Sequence, residues 1–352
     1  MFVSILIFFF IILSVFALMD TGEKKSAHTE YIYWGAVFVM FLLAALRPIG
    51  VDNDSSAYEN MFNHGLANEF DAEFSFELIG GWVYKVWHTP QMLFCIYALI
   101  SVIFKSIPVK KIASDFYLSV LLIWFCHYYM MQDLTQIRAA AATTFFLFAV
   151  MYLIKGNRLL YILFVFMAVF FHYSAIVLLP FVFLGKKDLS QKWEKILFLL
   201  PIVGYLFYFI QFNPLVSLPI PYINEKIEVY EALRDSGIGG DEINVFSALY
   251  LMKLIMFYFV LIKYKQIKVF FPAISLILKI FAVSYFSYTF FAFLPILSFR
   301  VSEMIGIVEI FMVPSIIYAI EPKFWGRCMV VIYSAAIVFL NVFYIELFDF
   351  NM

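Results

Sequence analysis

Charge is scarce in this chain of 352 residues. Only 14% of the residues are charged, whereas 64% are apolar, and the mean hydropathy is +0.93. A typical soluble domain has about 25% charged and about 45–50% apolar residues. The composition therefore excludes a soluble domain and predicts a polytopic protein embedded in a lipid bilayer. No basic cluster of the kind that binds nucleic acid occurs, which excludes nucleic acid as a partner.

Motifs for several common chemistries are also missing. The three cysteines have neither metal-ligand spacing nor a disulfide pattern. No phosphate-binding P-loop and no Gly-x-Ser-x-Gly nucleophile motif is present. Residues 1–19 lack the basic start and the cleavage site of a signal peptide, which favours a first spanning helix.

Long apolar runs fill most of the chain and predict an all-α membrane protein. A spanning helix needs about 20 such residues, which gives about twelve spans, with about ten or eleven also compatible. We expect a single integral-membrane domain over residues 1–352, since no soluble domain can be separated from it. The predicted spans are residues 2–19, 30–46, 91–104, 116–132, 135–154, 159–171, 174–184, 196–212, 245–262, 269–290, 301–320 and 328–345.

Basic residues are distributed unevenly between the connections. Alternate connections, starting with residues 20–30, hold 16 of the 24 lysines and arginines. Because such residues accumulate on the cytoplasmic side, the other connections and both chain ends are predicted to lie outside. The outer set includes two long loops, 47–90 and 213–244, and four of the six arginines. We therefore expect the functional site on the outer face.

The segment RPIGVDNDSSAY concentrates polar groups directly after the second predicted span. Arg47 either anchors the helix end at the interface or binds a phosphate through its guanidinium fork. Asp52 and Asp54 form a solvated turn, bind a divalent cation or supply a general base. Tyr58 is either an interfacial tyrosine or part of the same site.

Arg138 and Gln136 lie in QDLTQIRAAAATTFFLFA, where Asp133 and Thr135 predict a helix start. An ionisable group about one turn inside a membrane helix is costly, and it faces protein or water by default. The alanines at 139–142 allow neighbouring helices to approach closely. Arg138 is therefore the strongest single candidate for binding an anionic substrate.

Other candidates are spread along the chain. His172, in FHYSAIVLLP, is either a structural hydrogen-bonding group or a proton shuttle. Arg300, at the predicted start of a late helix, either pairs with Glu303 or binds substrate. Glu77 is a further acidic candidate in an apolar run, and Arg234 would be delivered by a short loop helix.

The arginines at the outer helix ends have a common interpretation. Arg47, Arg138 and Arg300 come from different predicted spans. A diphosphate requires bidentate recognition at more than one pair of oxygens, which arginine provides. We therefore predict a diphosphate-binding site. Lys253, Lys279 and Glu309, in contrast, lie inside spans, where they either pair with one another as internal ties or line a proton path. Ties are preferred, because the sequence shows no ladder of acidic and basic groups.

The ordered set of motifs resembles the EpsG family of Wzy-like polysaccharide polymerases. RPIGVDNDSSAY, FSFELIGGW, QIRAAAA, FHYSAIVLLP and a late SFR occur in that order over most of the chain. The resemblance implies a multi-pass glycosyltransferase of the bacterial cytoplasmic membrane. It would transfer a glycan from undecaprenyl pyrophosphate to the non-reducing-end sugar of another lipid-linked repeat unit. The product would be O-antigen, capsule or exopolysaccharide.

The same resemblance implies a GT-C-like helical architecture and no metal or cofactor. A chain-length regulator and a flippase are the implied protein partners. The predicted diphosphate contacts are Arg47, Arg138, Arg300, Gln136 and Tyr58, with Arg234 and Glu303 as additions. The predicted proton acceptors, in order of preference, are Asp52 or Asp54, then Glu77 or His172.

Three other functions compete with polymerisation. A flippase or exporter of the lipid-linked glycan is expected to show internal repeats, and none is visible in the sequence. A membrane O-acyltransferase that modifies the glycan needs a histidine with a carboxylate partner, which His172 lacks in sequence. A scaffolding subunit would not require arginines at three outer helix ends.

Overall fold

A computed structural model describes residues 1–20, 27–65, 73–211 and 243–349, together with Glu228 and Ala232. Every regular element in these ranges is helical, in agreement with the predicted all-α class. An isolated antiparallel β-bridge joins Asp52 to Phe348. The predicted outer loop 213–244, including Arg234, lies almost entirely outside the described residues.

Sixteen α-helices are described, and π and 3₁₀ turns extend several of them. The first nine are α1 (Phe2–Leu18), α2 (Ala27–Ala45), α3 (Ser55–Asn60), α4 (Phe74–Val86), α5 (Pro90–Ala98), α6 (Lys105–Ile112), α7 (Tyr117–Trp124), α8 (Ile137–Ile154) and α9 (Arg158–Phe171). The other seven are α10 (Gln191–Phe209), α11 (Ala248–Ile262), α12 (Tyr264–Phe270), α13 (Ile274–Phe290), α14 (Pro295–Gly306), α15 (Glu309–Met312) and α16 (Lys323–Phe339). The π segments are Met61–Gly65, Leu99–Phe104, Phe125–Asp133 and Leu340–Tyr344, and the 3₁₀ segments are Tyr173–Phe183 and Pro314–Tyr318.

Four of the described helices are long and apolar enough to cross a bilayer: Ala27–Ala45, Pro90–Ile112, Ile137–Ile154 and Lys323–Tyr344. Six shorter apolar helices of 10–17 residues accompany them. This helix content is compatible with a polytopic membrane protein. The predicted number of about twelve spans is not confirmed.

Two of the predicted spans differ from the helices in the structure. The span predicted to end at residue 104 continues to Ile112, because Lys105 does not leave the protein interior. The continuous span predicted over 301–320 is broken, since α14 ends at Gly306 and a short helix and a 3₁₀ segment follow. Pro314 contributes to this break because it has no backbone N–H to donate.

Helix α13 lies at the centre of the carboxyl-terminal half, and nearly all of its residues are buried. α10 and α14 pack against it. Close packing requires small residues: a Cβ atom at Gly306 would lie 2.9 Å from the Ser284 hydroxyl and 2.9 Å from that of Tyr128. This contact places α14, and with it Arg300 and Glu303, against the interior of the bundle.

A buried ion pair fixes the turn that precedes α8. Lys105 Nζ lies 2.7 Å from Asp133 Oδ1, and both side chains are fully buried. Trp124 donates its indole N–H to the other oxygen of Asp133 at 2.7 Å. The distribution of basic residues predicts a cytoplasmic position for Lys105, in the connection 105–115. It is instead an internal tie that holds the end of the π segment Phe125–Asp133 in place.

We expect the variant Lys105→Met to lose about 3–5 kcal/mol of unfolding free energy, because Asp133 would remain as an unpaired buried carboxylate. The melting temperature of the purified protein in detergent measures this loss. Adding Asp133→Asn should recover most of it, since the amide oxygen still accepts from Trp124. Lys110→Met is the control, because Lys110 pairs with Glu30 at an exposed position. A Lys105→Met variant as stable as the wild type would contradict the role of the pair.

Candidate active site

A cavity of about 480 Å³ lies between α3, the start of α8, the turn at His172 and α14. Its volume falls in the range of about 300–1,000 Å³ that is usual for ligand sites. Its walls combine charged, amide and apolar side chains. The lining residues are Asp54, Ala57, Tyr58, Met61, Gln132, Gln136, Arg138, Ala139, His172, Ile296, Phe299, Arg300, Glu303 and Met304.

Arg138 lies in the first turn of α8, which begins at Ile137, and not a full turn inside as predicted. Its guanidinium forms an ion pair with Glu73. Its Cζ atom lies 5.5 Å from the ring centre of Tyr58, within cation–π range. The side chain remains 21% exposed and lines the cavity. Arg138 is thus held by a carboxylate and an aromatic ring while it still reaches the cavity.

Glu73 joins Arg138 to His172. Its Oε1 atom lies 2.6 Å from Nδ1 of His172, and its other oxygen contacts Arg138. Burial alone would raise the pKa of Glu73, but the hydrogen bond with His172 and the charge of Arg138 lower it below its ordinary value. The carboxylate is therefore ionised at neutral pH. Sequence reasoning missed this role, because Glu73 and His172 are 99 residues apart.

Asp54 is the carboxylate of the RPIGVDNDSSAY segment that faces the cavity. It is half-buried, and no ion pair or side-chain hydrogen bond to its carboxylate is found among the described residues. Burial, followed by the charge of Asp52, raises the pKa of Asp54 above its ordinary value. The charges of Arg138 and Arg300 oppose this shift. A partly desolvated carboxylate without a partner has the properties of a general base.

Arg47 and Asp52 do not line the cavity, contrary to prediction. Arg47 is only 1% exposed and donates from Nε to Asp52 Oδ2 at 3.0 Å. The other Asp52 oxygen accepts from the backbone N–H groups of Asp54 at 3.1 Å and Ser55 at 2.9 Å. Both carboxylate oxygens of Asp52 are therefore occupied. A metal site formed by Asp52 and Asp54 would need at least one of them free. Arg47 and Asp52 instead shape the turn that presents Asp54.

Helix α14 forms another wall of the cavity. Arg300 is exposed there and lines the cavity. Glu303 does not pair with Arg300, because Lys253 Nζ lies 2.8 Å from its Oε1. Tyr250 donates its hydroxyl to the same oxygen at 2.7 Å. Arg300 therefore keeps its charge available to a ligand.

Glu303 is also one end of a buried ionic cluster, which consists of Glu303, His127, Glu309 and Lys253. His127 lies between the two carboxylates, with Nε2 at 3.7 Å from Glu303 and Nδ1 at 3.3 Å from Glu309. Lys253 lies 3.6 Å from Glu309 and so contacts both carboxylates. Of the predicted ties among Lys253, Lys279 and Glu309, the one between Lys253 and Glu309 is present, within a larger network. Lys279 instead donates to the backbone carbonyls of Gly185 and Lys187. His127 was not foreseen, because nothing near it in sequence is charged.

Two glutamines complete the wall beside Arg138. Gln136, one of the predicted diphosphate contacts, is exposed and lines the cavity. Gln132, which sequence reasoning did not select, is buried and accepts from the Thr143 hydroxyl at 3.1 Å. Both flank Asp133, whose pairing with Lys105 fixes the turn between them. Glu77, in contrast, is exposed on α4 and is not part of the cavity wall.

A second groove, of about 770 Å³, lies between the ends of α10, α11 and α12. Its lining residues are Gln191, Glu194, Lys195, Phe198, Leu199, Leu261, Ile262, Tyr264 and Lys265. None of the described residues that the sequence nominated lines this groove. The first cavity, which gathers seven of them, is the better candidate for the active site.

The family model of the EpsG family matches residues 30–351, which is nearly the whole chain. The chain belongs to the EpsG family. The resemblance inferred from the motifs is thereby confirmed, and EpsG proteins are Wzy-like polymerases. The curated proteins and the solved structures that were compared give no match.

EpsG membership, together with the apolar helices, makes this chain a membrane protein of the polysaccharide polymerase type. The likeness to GT-C architecture stays a prediction, as no solved structure matches. The motifs that carry the family resemblance supply the cavity: QIRAAAA contributes Arg138, and SFR contributes Phe299 and Arg300. Among the described residues, no group of three or more His, Cys, Asp or Glu side chains is placed to hold a metal.

Glu73 offers a direct test of how this EpsG-family site is assembled. We expect Glu73→Gln to lower the polymerisation rate by about 10²-fold, because Arg138 and His172 lose the charge that orients them. The length distribution of the glycan product on a gel measures the effect. Glu77→Gln, an exposed change in the next turn of the chain, should leave that distribution unchanged. An active Glu73→Gln variant would show that the Glu73 contacts are not required.

Proposed function

We propose that this protein polymerises lipid-linked oligosaccharide repeat units on the outer face of the bacterial cytoplasmic membrane. The donor glycan would leave undecaprenyl pyrophosphate and join the non-reducing-end sugar of a second repeat unit. The observation that carries the proposal is the meeting of two arginines and an unpaired carboxylate in one cavity of an EpsG-family chain.

The cations of the cavity suit a diphosphate leaving group. Arg138 and Arg300 come from two different helices, α8 and α14, and both line the cavity, so a diphosphate bound there can be contacted by both. Negative charge grows on the diphosphate as its bond to the anomeric carbon breaks. Preorganised donors stabilise that charge without reorganisation at the moment of reaction. His172, held through Nδ1 by Glu73, presents its other ring nitrogen as a further polar contact.

Asp54 is the proposed proton acceptor. The hydroxyl of the acceptor sugar loses its proton to the Asp54 carboxylate, and its oxygen attacks the anomeric carbon of the donor. The electron pair of the broken bond passes to the diphosphate. Asp54 is preferred to Asp52 because Asp52 is occupied by Arg47 and two backbone N–H groups. Asp54 is also preferred to Glu73, because the partners of Glu73 lower its pKa and make it a weaker base.

The outer location rests on the distribution of basic residues. Without Lys105, the predicted cytoplasmic set still holds 15 of the 24 lysines and arginines, so the asymmetry remains. The cavity is lined by residues of the 47–90 segment and of several helix ends. The distribution of basic residues predicts that these parts lie on the outer side of the membrane.

A reconstituted assay tests the proposed function. Purified protein in liposomes is given the host's lipid-linked repeat unit, and the glycans are resolved on a gel. A polymerase produces a ladder of longer lipid-linked glycans and releases undecaprenyl pyrophosphate. Movement of an unchanged repeat unit across the bilayer would indicate a flippase and overturn the proposal. Activity that persists in excess chelator is expected, in line with the absence of a metal from the proposed steps.

An O-acyltransferase is the second candidate, and the contact between His172 and Glu73 favours it. The objection that His172 has no carboxylate partner is wrong, since Glu73 lies 2.6 Å from its ring. Transfer of an acyl group would give a glycan of unchanged length and increased mass. Mass spectrometry of the product from the same assay separates this outcome from polymerisation.

A further inference from the structure

Phe299 is a large aromatic side chain that remains exposed at the wall of the cavity. It is 45% exposed and lines the wall formed by α14. Its ring packs edge-on against Tyr288, at 5.7 Å between ring centres, and against Tyr250, at 6.3 Å. Both tyrosines are buried and have hydrogen-bonded hydroxyls. The ring of Phe299 is therefore held in a fixed orientation before any ligand arrives.

A carboxylate with spare capacity lies one helical turn further along α14. Oε1 of Glu303 is occupied by Lys253 and Tyr250, but Oε2 is buried and has no hydrogen-bond partner among the described residues. The imidazole of His127 lies beyond hydrogen-bond distance, with its Nε2 atom 3.7 Å from Oε2. A buried oxygen with no partner is costly, and a ligand hydroxyl that bonded to it would remove that cost.

The spacing of these two residues matches the size of one sugar ring. Phe299 and Glu303 are four residues apart, which places them on one helix face about 6 Å apart along the axis. A pyranose has a face of C–H groups that packs on an aromatic ring and an edge of hydroxyls that donates to a carboxylate. Neither a diphosphate nor an isoprenoid chain combines these two features, since Glu303 repels the first and offers nothing to the second.

We propose that the α14 face formed by Phe299 and Glu303 is the subsite for the acceptor sugar. The sugar ring lies on Phe299, and one of its hydroxyls bonds to Glu303. A second hydroxyl then points across the cavity towards Asp54. This subsite rests on the proposed function for the identity of its ligand. It divides the cavity into an acceptor side at Phe299 and Glu303 and a diphosphate side between Arg138 and Arg300.

Three substitutions of Phe299 test the subsite. The probe is the host's repeat-unit oligosaccharide without its lipid, and its binding to the protein in nanodiscs is followed by saturation-transfer NMR. Phe299→Ala and Phe299→Leu should each weaken binding by about tenfold, while Phe299→Tyr retains it. Phe339→Ala, an exposed phenylalanine on α16 outside the cavity wall, is the control. Melting temperatures confirm that each variant is folded.

The outcomes separate the subsite from the proposed function. In the polymerisation assay, with lipid-linked donor fixed, Phe299→Leu should raise KM for the soluble oligosaccharide and change kcat by less than about twofold. Unchanged oligosaccharide binding in Phe299→Leu and Phe299→Ala would overturn the subsite, whatever the reaction. If undecaprenyl phosphate binding fell in Phe299→Ala but not in Phe299→Leu, Phe299 would belong to a lipid groove, which also overturns it. Binding that behaves as expected without any polymerisation would overturn the proposed function alone.

Discussion

Replacing Arg138 with alanine is expected to lower polymer synthesis by about 10²–10³-fold, the usual effect of removing one preorganised donor from a developing anion. Arg138 is the charged group shared by the cavity, the Glu73–His172 pair and the ring of Tyr58. Its loss removes a diphosphate contact and leaves Glu73 with a single partner. In cells, the glycan ladder should collapse to exported single repeat units.

The conservative variant Arg138→Lys refines this expectation. Lysine keeps the positive charge but not the planar fork that contacts Glu73 and a diphosphate oxygen together. We therefore expect only a small recovery of polymer. Arg158→Ala, at an exposed arginine at the other end of the helix pair α8–α9, is the matched control and should give a normal ladder. A normal ladder from Arg138→Ala would remove the basis for the proposed diphosphate site.

Asp54→Asn is expected to lower kcat by about 10²–10⁴-fold, because an amide cannot accept the proton of the acceptor hydroxyl. The burial that raises the pKa of Asp54 also sets the pH dependence. The reaction needs the ionised form, so activity should fall as pH decreases through the raised pKa. The midpoint should lie above about 3.9, the ordinary value for aspartate. The pH profile of kcat/KM for the wild-type protein measures it.

The direction in which Asp54→Asn changes the stability of the protein can also be predicted. A carboxyl whose pKa is raised on folding binds more protons in the folded than in the unfolded state, so its ionisation at neutral pH costs stability. Asp54→Asn should therefore melt at the same temperature as the wild type or higher. Asn53→Ala, at the exposed neighbour in the same turn, should keep full activity. An active Asp54→Asn variant would transfer the role of base to His172 or Glu303.

The sequence predicted the helical class, the family and seven of the residues that line the cavity. These features could be predicted because hydropathy can be read from the local sequence, and so can a polar residue in apolar surroundings. Arg138 and Arg300 stand out in this way without any knowledge of their neighbours. The span boundaries near Lys105 failed, because a charge that is paired inside the bundle looks the same in sequence as one in solvent.

Pairings between distant residues could not be predicted. Nothing in the local sequence singles out Glu73, and its partner His172 lies 99 residues away. Arg47 and Asp52, five residues apart, looked like ligands because their mutual ion pair is invisible without coordinates. In each case the role of a residue depends on whether its polar group remains free after the internal pairs have formed. Only tertiary contacts determine which groups remain free.

The buried ionic cluster has a consequence for how the chain enters the membrane during synthesis. Lys253 lies in the apolar helix α11, and a lone lysine at the centre of an inserting helix costs about 2.5–3.5 kcal/mol. Its partner Glu303 is synthesised 50 residues later. Helix α11 therefore gains its full stability in the bilayer only after α14 and α15 have emerged and neutralised its charge. A chain that ends before Glu303 therefore lacks the carboxylate that neutralises Lys253 in α11.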